Sequence, residues 1–164
     1  MIKASIECIA PSLHNVFNAI LRCQYYPKKW KLGIIVNLFK SGNILCTDNY
    51  RGLTINSCLG KVFNTIMNNR LDNYLEKNKI ISHTQIGFRK KARTSDHIFV
   101  MNTLFRKLTK LKKKVYVCFV DFQKAYDSVW RDALMLKLLN TGIRGNFFEV
   151  IFDMYSGSES CIKT

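Results

Sequence analysis

Phe119-Val120-Asp121-Phe122-Gln123-Lys124-Ala125-Tyr126-Asp127-Ser128-Val129 places a carboxylate where an apolar stretch gives way to a turn. The residues leading into it, Val115 to Val120, are an unbroken apolar and aromatic run rich in β-branched side chains. That is the composition of a strand covered on both faces. A carboxylate leaving such a strand is costly unless water, a hydrogen-bond donor or a cation meets it. Mg²⁺ suits the position, because it takes oxygen ligands and bridges protein carboxylates to phosphates. On the residues alone, a strand-end Asp that caps the following turn is an equally good reading.

Upstream of this stretch the chain reads mainly as helices. Leu13, Val16, Phe17, Ile20 and Leu21 recur at helical spacing, so a helix is expected from about Pro11 to Cys23, with Pro11 in its first turn. Ile34, Ile35, Val36, Leu38 and Phe39 read as a strand within Trp30 to Phe39, followed by turn residues Ser41, Gly42 and Asn43 and a loop through Asn49 to Gly52. A second helix is expected from about Ser57, its N-cap, to Glu76, with Leu59, Val62, Phe63, Ile66, Met67, Leu71, Tyr74 and Leu75 on one stripe. A third should start near Thr94 to Asp96 and bury Ile98, Met101, Leu104, Phe105, Leu108 and Leu111, ending in the basic group Arg106, Lys107, Lys110, Lys112, Lys113 and Lys114. Helices from about Trp130 to Asn140 and Phe147 to Tyr155 follow, separated by Gly142 and Gly145, before a polar tail. No repeat, low-complexity linker or clean domain boundary interrupts the sequence.

Charge narrows the class of partner. The 164 residues carry 26 Lys and Arg against 11 Asp and Glu, a net +15, with 48% apolar content. This composition fits a globular domain whose partner is a polyanion, and nucleic acid is favoured over an anionic membrane or a merely solvated basic surface. No run approaches the ~18 apolar residues of a membrane span, and Met1 opens no signal peptide, so an intracellular protein, nuclear or cytoplasmic, with no membrane partner is expected. Cys8, Cys23, Cys46, Cys58, Cys118 and Cys161 lack CxxC spacing and read as reduced, mostly structural thiols. His14, His83 and His97 are too scattered to suggest a metal site.

Four blocks, taken in order, closely resemble the reverse transcriptases of non-LTR retrotransposons. The first is Pro27-Lys28-Lys29-Trp30-Lys31 with Gly33, Ile34 and Ile35 and then Leu38-Phe39-Lys40-Ser41-Gly42. The second is Asn49-Tyr50-Arg51-Gly52-Leu53-Thr54 with Lys61 and Arg70-Leu71. The third is Gln85-Ile86-Gly87-Phe88-Arg89 with Thr94 and Asp96, and the fourth is the Asp121 stretch, similar to the family's first palm motif. The order of the blocks is more specific than any one of them, and it makes a chance match improbable.

The resemblance implies an α+β fold, a partial right-hand polymerase with fingers over residues 1–112 and the start of the palm over 113–164. It implies that Asp121 is the first catalytic, metal-binding aspartate, with the Phe122 carbonyl as a second oxygen ligand for Mg²⁺. Lys40 and Arg51 would be fingers cations on the triphosphate of a deoxynucleotide. Tyr126 would be the steric gate that excludes a ribose 2′-hydroxyl. Gln85, Gly87, Phe88 and Arg89 would touch the template, and Lys90, Lys91 and Arg93 extend the nucleic-acid surface. Lys124 and Asp127 are given structural roles. The expected partners are an RNA template, a DNA primer and deoxynucleotides, and no feature of the sequence sets an oligomeric state.

Several of these residues also have plainer readings. Lys40 precedes a turn where an exposed lysine is ordinary, Arg51 could pack over Tyr50, Tyr126 could be core, and Lys112 to Lys114 could be a solvated turn. The sequence also departs from the family pattern, since the Gln-Gly pair of the second palm motif and the adjacent aspartates of the third are missing. Two-metal phosphoryl transfer needs several converging carboxylates. The expectation is therefore a fragment of an RNA-directed DNA polymerase that does not polymerise by itself. The alternative is a non-catalytic nucleic-acid-binding module derived from the same fold.

Overall fold

In the computed structural model, residues 6–90, 92–122 and 125–162 are described. Helix α1 spans Ile6–Cys23, followed by a short α2 (Lys28–Lys31), strand β1 (Leu32–Phe39), a 3₁₀ turn (Thr47–Asn49) and strand β2 (Tyr50–Ile55). Helices α3 (Cys58–Lys77), α4 (Thr94–Lys110), α5 (Arg131–Asn140) and α6 (Gly145–Tyr155) come next, and strand β3 (Glu159–Ile162) closes the order. Helices and a small sheet thus share the chain, which is a mixed α/β fold. The residues divide into two compact units, Met1–Leu71 with Trp130–Thr164, and Asp72–Val129, where the sequence suggested no boundary.

The first unit holds the sheet, with β1 between its neighbours in the order β2-β1-β3. β1 and β2 are antiparallel, with Leu38 opposite Arg51 and Phe39 opposite Tyr50, whose rings lie 5.4 Å apart. The expected loop at Asn49 to Gly52 is therefore mostly strand. Tyr50, Thr54 and Ile55 have the β-branched and aromatic character that pairs on a pleated surface, and β1 offers them a partner. The tail expected to be polar also pairs, since Leu32 to Ile35 align in parallel with Glu159 to Ile162. Gly33 is required there by space: a Cβ at this position would stand 2.6 Å from the Thr54 methyl group.

The core of this unit comes from helical stripes. Phe17 and Ile20 of α1, Phe63 and Met67 of α3, Met135 and Leu138 of α5, and Phe148, Val150 and Ile151 of α6 are buried together with Tyr26 and Ile143. Phe63 and Val150 are almost wholly enclosed, a burial of roughly 1.5–3 kcal/mol for each side chain. Phe17, Tyr26, Trp30 and Phe63 form an aromatic group, with Phe17 and Phe63 edge to face at 5.3 Å and Tyr26 and Trp30 at 5.5 Å. Such contacts add about 0.5–1.5 kcal/mol each beyond area. Gly60, one turn before Phe63, lets α3 close on this group, because a Cβ there would meet the Tyr26 hydroxyl at 3.2 Å and Trp30 at 3.3 Å. Ser57 caps α3 as expected, its hydroxyl accepting the Gly60 N–H at 3.4 Å. Helix α1 starts a turn and more before its expected first residue, so Pro11 lies inside it at the cost of one backbone hydrogen bond.

Asp153 of α6 ties distant segments together. Its carboxylate accepts the Tyr26 N–H at 2.6 Å and the Lys31 ammonium at 2.8 Å, while Lys31 also donates to the Ser156 carbonyl at 3.1 Å. Partial burial pushes the Asp153 pKa up, but the Lys31 and Tyr26 hydrogen bonds together outweigh it and hold the carboxyl below its ordinary value.

The second unit corrects two expectations. The stripe on α4 is not buried: Ile98 is 63% exposed, Leu104 and Leu111 are exposed, and Met101, Phe105 and Leu108 are only partly covered. The run Val115 to Val120 forms no strand and is exposed throughout. A strand needs ladder partners for its N–H and C=O groups, and none of the three strands among the described residues pairs with this run. The cysteines are all unpaired and exposed, so they serve less in packing than the sequence suggested. Among the described residues, no helix is long and apolar enough to cross a membrane.

Replacing Asp153 with Asn should destabilise the protein by about 1–3 kcal/mol at neutral pH, the value of hydrogen bonds to a charged group. Because the folded pKa lies below the ordinary one, this contribution is present above about pH 4 and is lost as the pH falls through the folded value. Thermal melts of the two proteins should therefore converge in acid. A gap that stays constant well below about pH 4 would show that the charge is not what Asp153 contributes.

Candidate nucleic-acid and nucleotide site

The candidate residues fall into both units, and each group is described within its own. In the first unit, β1 and β2 bring Lys40 and Arg51 to the same end of the hairpin. Arg51 sits opposite Leu38, and the Lys40 N–H continues the ladder by donating to the Asn49 carbonyl at 2.9 Å. Alternation along a strand returns Lys40 to the face that Leu38 and Arg51 share. Both cations are exposed. Arg51 borders Tyr50, but the Tyr50 ring pairs with Phe39 and its hydroxyl donates to the Ile44 carbonyl at 3.0 Å, so stacking under Arg51 is not its recorded role.

In the second unit, the loop after α3 is folded back on that helix's final turns. Arg89 makes a forked contact with Glu76, Nε to Oε1 at 2.8 Å and Nη2 to Oε2 at 2.7 Å, and its Nη1 reaches the carbonyls of Ser82 at 3.3 Å and Gln85 at 3.4 Å. The Arg89 hydrogen bonds hold the Glu76 carboxyl below its usual range, and Glu76 in turn raises the Arg89 guanidinium. Lys90 lies 3.4 Å from Asp72. Arg89, expected on the template, is thus engaged in shaping the loop. The partners Glu76 and Asp72 were not anticipated, although two carboxylates near the end of a helix followed by a short loop and a basic cluster are a readable signal. These residues, with His83, Gln85 and Asp96, line a cleft of about 360 Å³.

The loop presents what remains. Phe88 is 87% exposed and its backbone lies in the left-handed region at φ 62°, a conformation that non-glycine residues seldom adopt without a local reason. The exposed Gln85 donates its N–H to the Ser82 carbonyl at 3.0 Å. Gly87 is exposed, and a Cβ added to it would meet nothing within 4 Å, so neither crowding nor backbone conformation in the folded chain requires a glycine there. Arg93 precedes α4, and its N–H is accepted by the Asp96 carboxylate at 2.8 Å, the reciprocal half of a capping arrangement. Lys91 lies outside the described residues, as do Gln123 and Lys124.

Asp121 and Phe122 are exposed in irregular backbone. Their hard oxygen donors suit a divalent cation. No group of three or more possible ligands is assembled among the described residues. Tyr126 is 80% exposed, which removes the core reading for it. Its ring meets Phe88 edge to face, with centroids 6.4 Å apart and planes at 84°. The second unit therefore brings together the aromatic of the expected template loop and the aromatic of the expected nucleotide gate, a contact between residues far apart in sequence.

A protein-family model described as reverse transcriptase (RNA-dependent DNA polymerase) matches residues 38–163. Among known proteins, the chain is 32% identical over 146 residues to the RNA-directed DNA polymerase from mobile element jockey of Drosophila funebris, which covers 87% of the chain and 16% of that protein. It is 30% identical over 123 residues to the jockey polymerase of Drosophila melanogaster, covering 74% of the chain and 13% of the relative. It is 31% identical over 124 residues to the Drosophila melanogaster protein called "Probable RNA-directed DNA polymerase from transposon BS", covering 75% of the chain and 14% of the relative. The chain thus spans a small part of the length of the relatives it matches.

Gly87 is exposed with open space around it, and the contact of the Tyr126 ring with Phe88 lies at the surface, so Gly87→Ala should leave stability within about 0.5 kcal/mol of the parent and Tyr126→Ala should cost no more than about 1.5 kcal/mol. Denaturant melts check this. A loss of about 3 kcal/mol or more for Tyr126→Ala, as for truncation of a buried aromatic, would put that ring in a core after all.

Proposed function

Because this chain belongs to the reverse transcriptase (RNA-dependent DNA polymerase) family, we propose that it is the nucleotide- and template-receiving part of a non-LTR retrotransposon polymerase. In this reading residues 1–112 are fingers and 113–164 begin the palm. The observation that carries the proposal is the coincidence of the family match over residues 38–163 with the ordered blocks that contain Lys40, Arg51, Gln85 to Arg89 and Asp121 to Asp127.

The roles follow from chemistry. Asp121 and the Phe122 carbonyl would hold Mg²⁺, which when bound supplies charge neutralisation at the reacting phosphate. Lys40 and Arg51, on one hairpin face, meet the triphosphate. The compact ammonium offsets charge and the forked guanidinium orients the phosphate oxygens. Tyr126 stands where a 2′-hydroxyl would go and selects deoxynucleotides by exclusion. Gly87, bare of a side chain in open space, admits the template backbone, and Phe88 offers a face on which a base stacks. Arg89 acts through the loop it fixes to Glu76, and the cations Lys90, Lys91 and Arg93 add the sequence-tolerant attraction to phosphate.

The proposed substrates are deoxynucleotides on an RNA template with a DNA primer, and the activity is that of the longer polymerase. One carboxylate at the metal position is too few for two-metal transfer, so the chain alone does not extend a primer. A non-catalytic binding module would use the same loop and cations without Asp121.

The test replaces the matching region of a jockey-type polymerase with residues 38–163 of this chain and compares a deoxynucleotide with its ribonucleotide. Tyr126→Ala should lower the discrimination by about tenfold or more while deoxynucleotide incorporation changes little. An unchanged ratio would remove Tyr126 from nucleotide selection.

A further inference from the structure

The connection from β1 to β2 runs from Lys40 to Asn49, longer than the about two to five residues of an ordinary β-hairpin loop. A loop of that length is costly to hold in one shape unless its polar groups are met within it. Here they are met. The Lys40 N–H donates to the Asn49 carbonyl at 2.9 Å, the Cys46 N–H to the Asn43 carbonyl at 3.1 Å, and the Asn49 N–H to the Cys46 carbonyl at 3.1 Å. Side chains add to these, since the Asn43 side-chain oxygen accepts the Leu45 N–H at 2.9 Å and the Tyr50 hydroxyl donates to the Ile44 carbonyl at 3.0 Å. The Asn49 side chain joins the two ends of the loop: its amide donates to the Asn43 carbonyl at 2.9 Å while its own carbonyl holds Lys40. Gly42 makes room for that amide. Its φ of 96° lies in the left-handed region, and a Cβ there would stand 2.8 Å from the Asn49 Nδ2.

We propose that Asn49 is a positioning residue for the incoming nucleotide, clasping the loop so that Lys40 and Arg51 meet the triphosphate as a preset pair. The inference rests on the proposed role of those two cations and adds the group that aligns them. Asn49 lies across the ladder from Lys40 and two residues before Arg51, so one side chain governs the backbone that carries both. With its amide on the Asn43 carbonyl, the loop is ordered before the nucleotide arrives. Binding then does not have to supply that ordering, which is how a preorganised site gains affinity without a further contact to its ligand.

Two measurements test the clasp and its consequence separately. In the full chain, Asn49→Ala should speed amide hydrogen exchange at Lys40 and Cys46 by about tenfold or more and leave the other β1 amides unchanged. Unchanged exchange at those two positions overturns the clasp. In a jockey-type polymerase carrying residues 38–163 of this chain, single-nucleotide incorporation separates nucleotide affinity from maximum rate and from active fraction. Asn49→Ala should weaken deoxynucleotide affinity by about tenfold, as when the competent loop is populated about a tenth of the time, with the maximum rate and primed-template binding within about twofold of the parent. Gly42→Ala, which displaces the amide without removing it, should also weaken affinity, and the two substitutions together should cost less than the product of their separate effects, because both release the same contact. A smaller active fraction at unchanged affinity makes Asn49 merely structural and overturns the proposal, as do fully multiplicative losses. Lys40→Ala and Arg51→Ala are the reference. If neither weakens nucleotide affinity, the cation reading falls and this inference with it; if both do while Asn49→Ala keeps the parental affinity, the positioning role alone is overturned.

Discussion

The first unit depends on how one carboxylate is met. Asp153 is partly buried on α6, where an unpaired charge would be costly, and it accepts two donors from the other end of the sequence, the Tyr26 N–H and the Lys31 ammonium. Those contacts hold the segment that turns from α1 into β1 against α6. Once the start of β1 is fixed there, β3, which follows α6, lies alongside it in parallel, and β2 pairs on its other edge. The hairpin end that presents Lys40 and Arg51 is thus placed by an ion pair many residues away from either cation. The aromatic group of Phe17, Tyr26, Trp30 and Phe63 supports the same joint from the apolar side.

The second unit is held differently. Its loop is anchored by an exposed charge pair, Arg89 with Glu76, and by the hydrogen bonds of the same guanidinium to Ser82 and Gln85. The forked geometry gives direction more than stability, since exposed ion pairs contribute little. The direction matters, because it leaves Phe88 projecting with its backbone in the left-handed region and its ring against Tyr126. A basic residue that resembles a template contact can therefore be the brace that presents its neighbours.

Much of this was legible in the sequence. Helical stripes with buried faces, such as Phe63 and Met67 on α3, and the cap at Ser57 came through because period and capping are local properties. The strands at Tyr50–Ile55 and Glu159–Ile162 did not, since a short strand exists only by virtue of a partner, and β1 supplied it from a distance. Val115 to Val120 failed in the opposite sense: its composition asks for a covered strand, but composition cannot supply the ladder. The candidate site was legible as a set of residues through its resemblance to a family. Their local engagement was not, because the partners of Arg89 and Tyr126 are set by how the loop folds back and not by spacing.

The proposed nucleotide-receiving role of this stretch is measured most directly by primer extension with a jockey-type polymerase that carries residues 38–163 of this chain in place of its own. RNA-templated extension with Mg²⁺ and deoxynucleotides is expected, lost by at least about 10³-fold on Asp121→Asn while the melting curve is unchanged. Extension that persists at the parental rate after Asp121→Asn would contradict it.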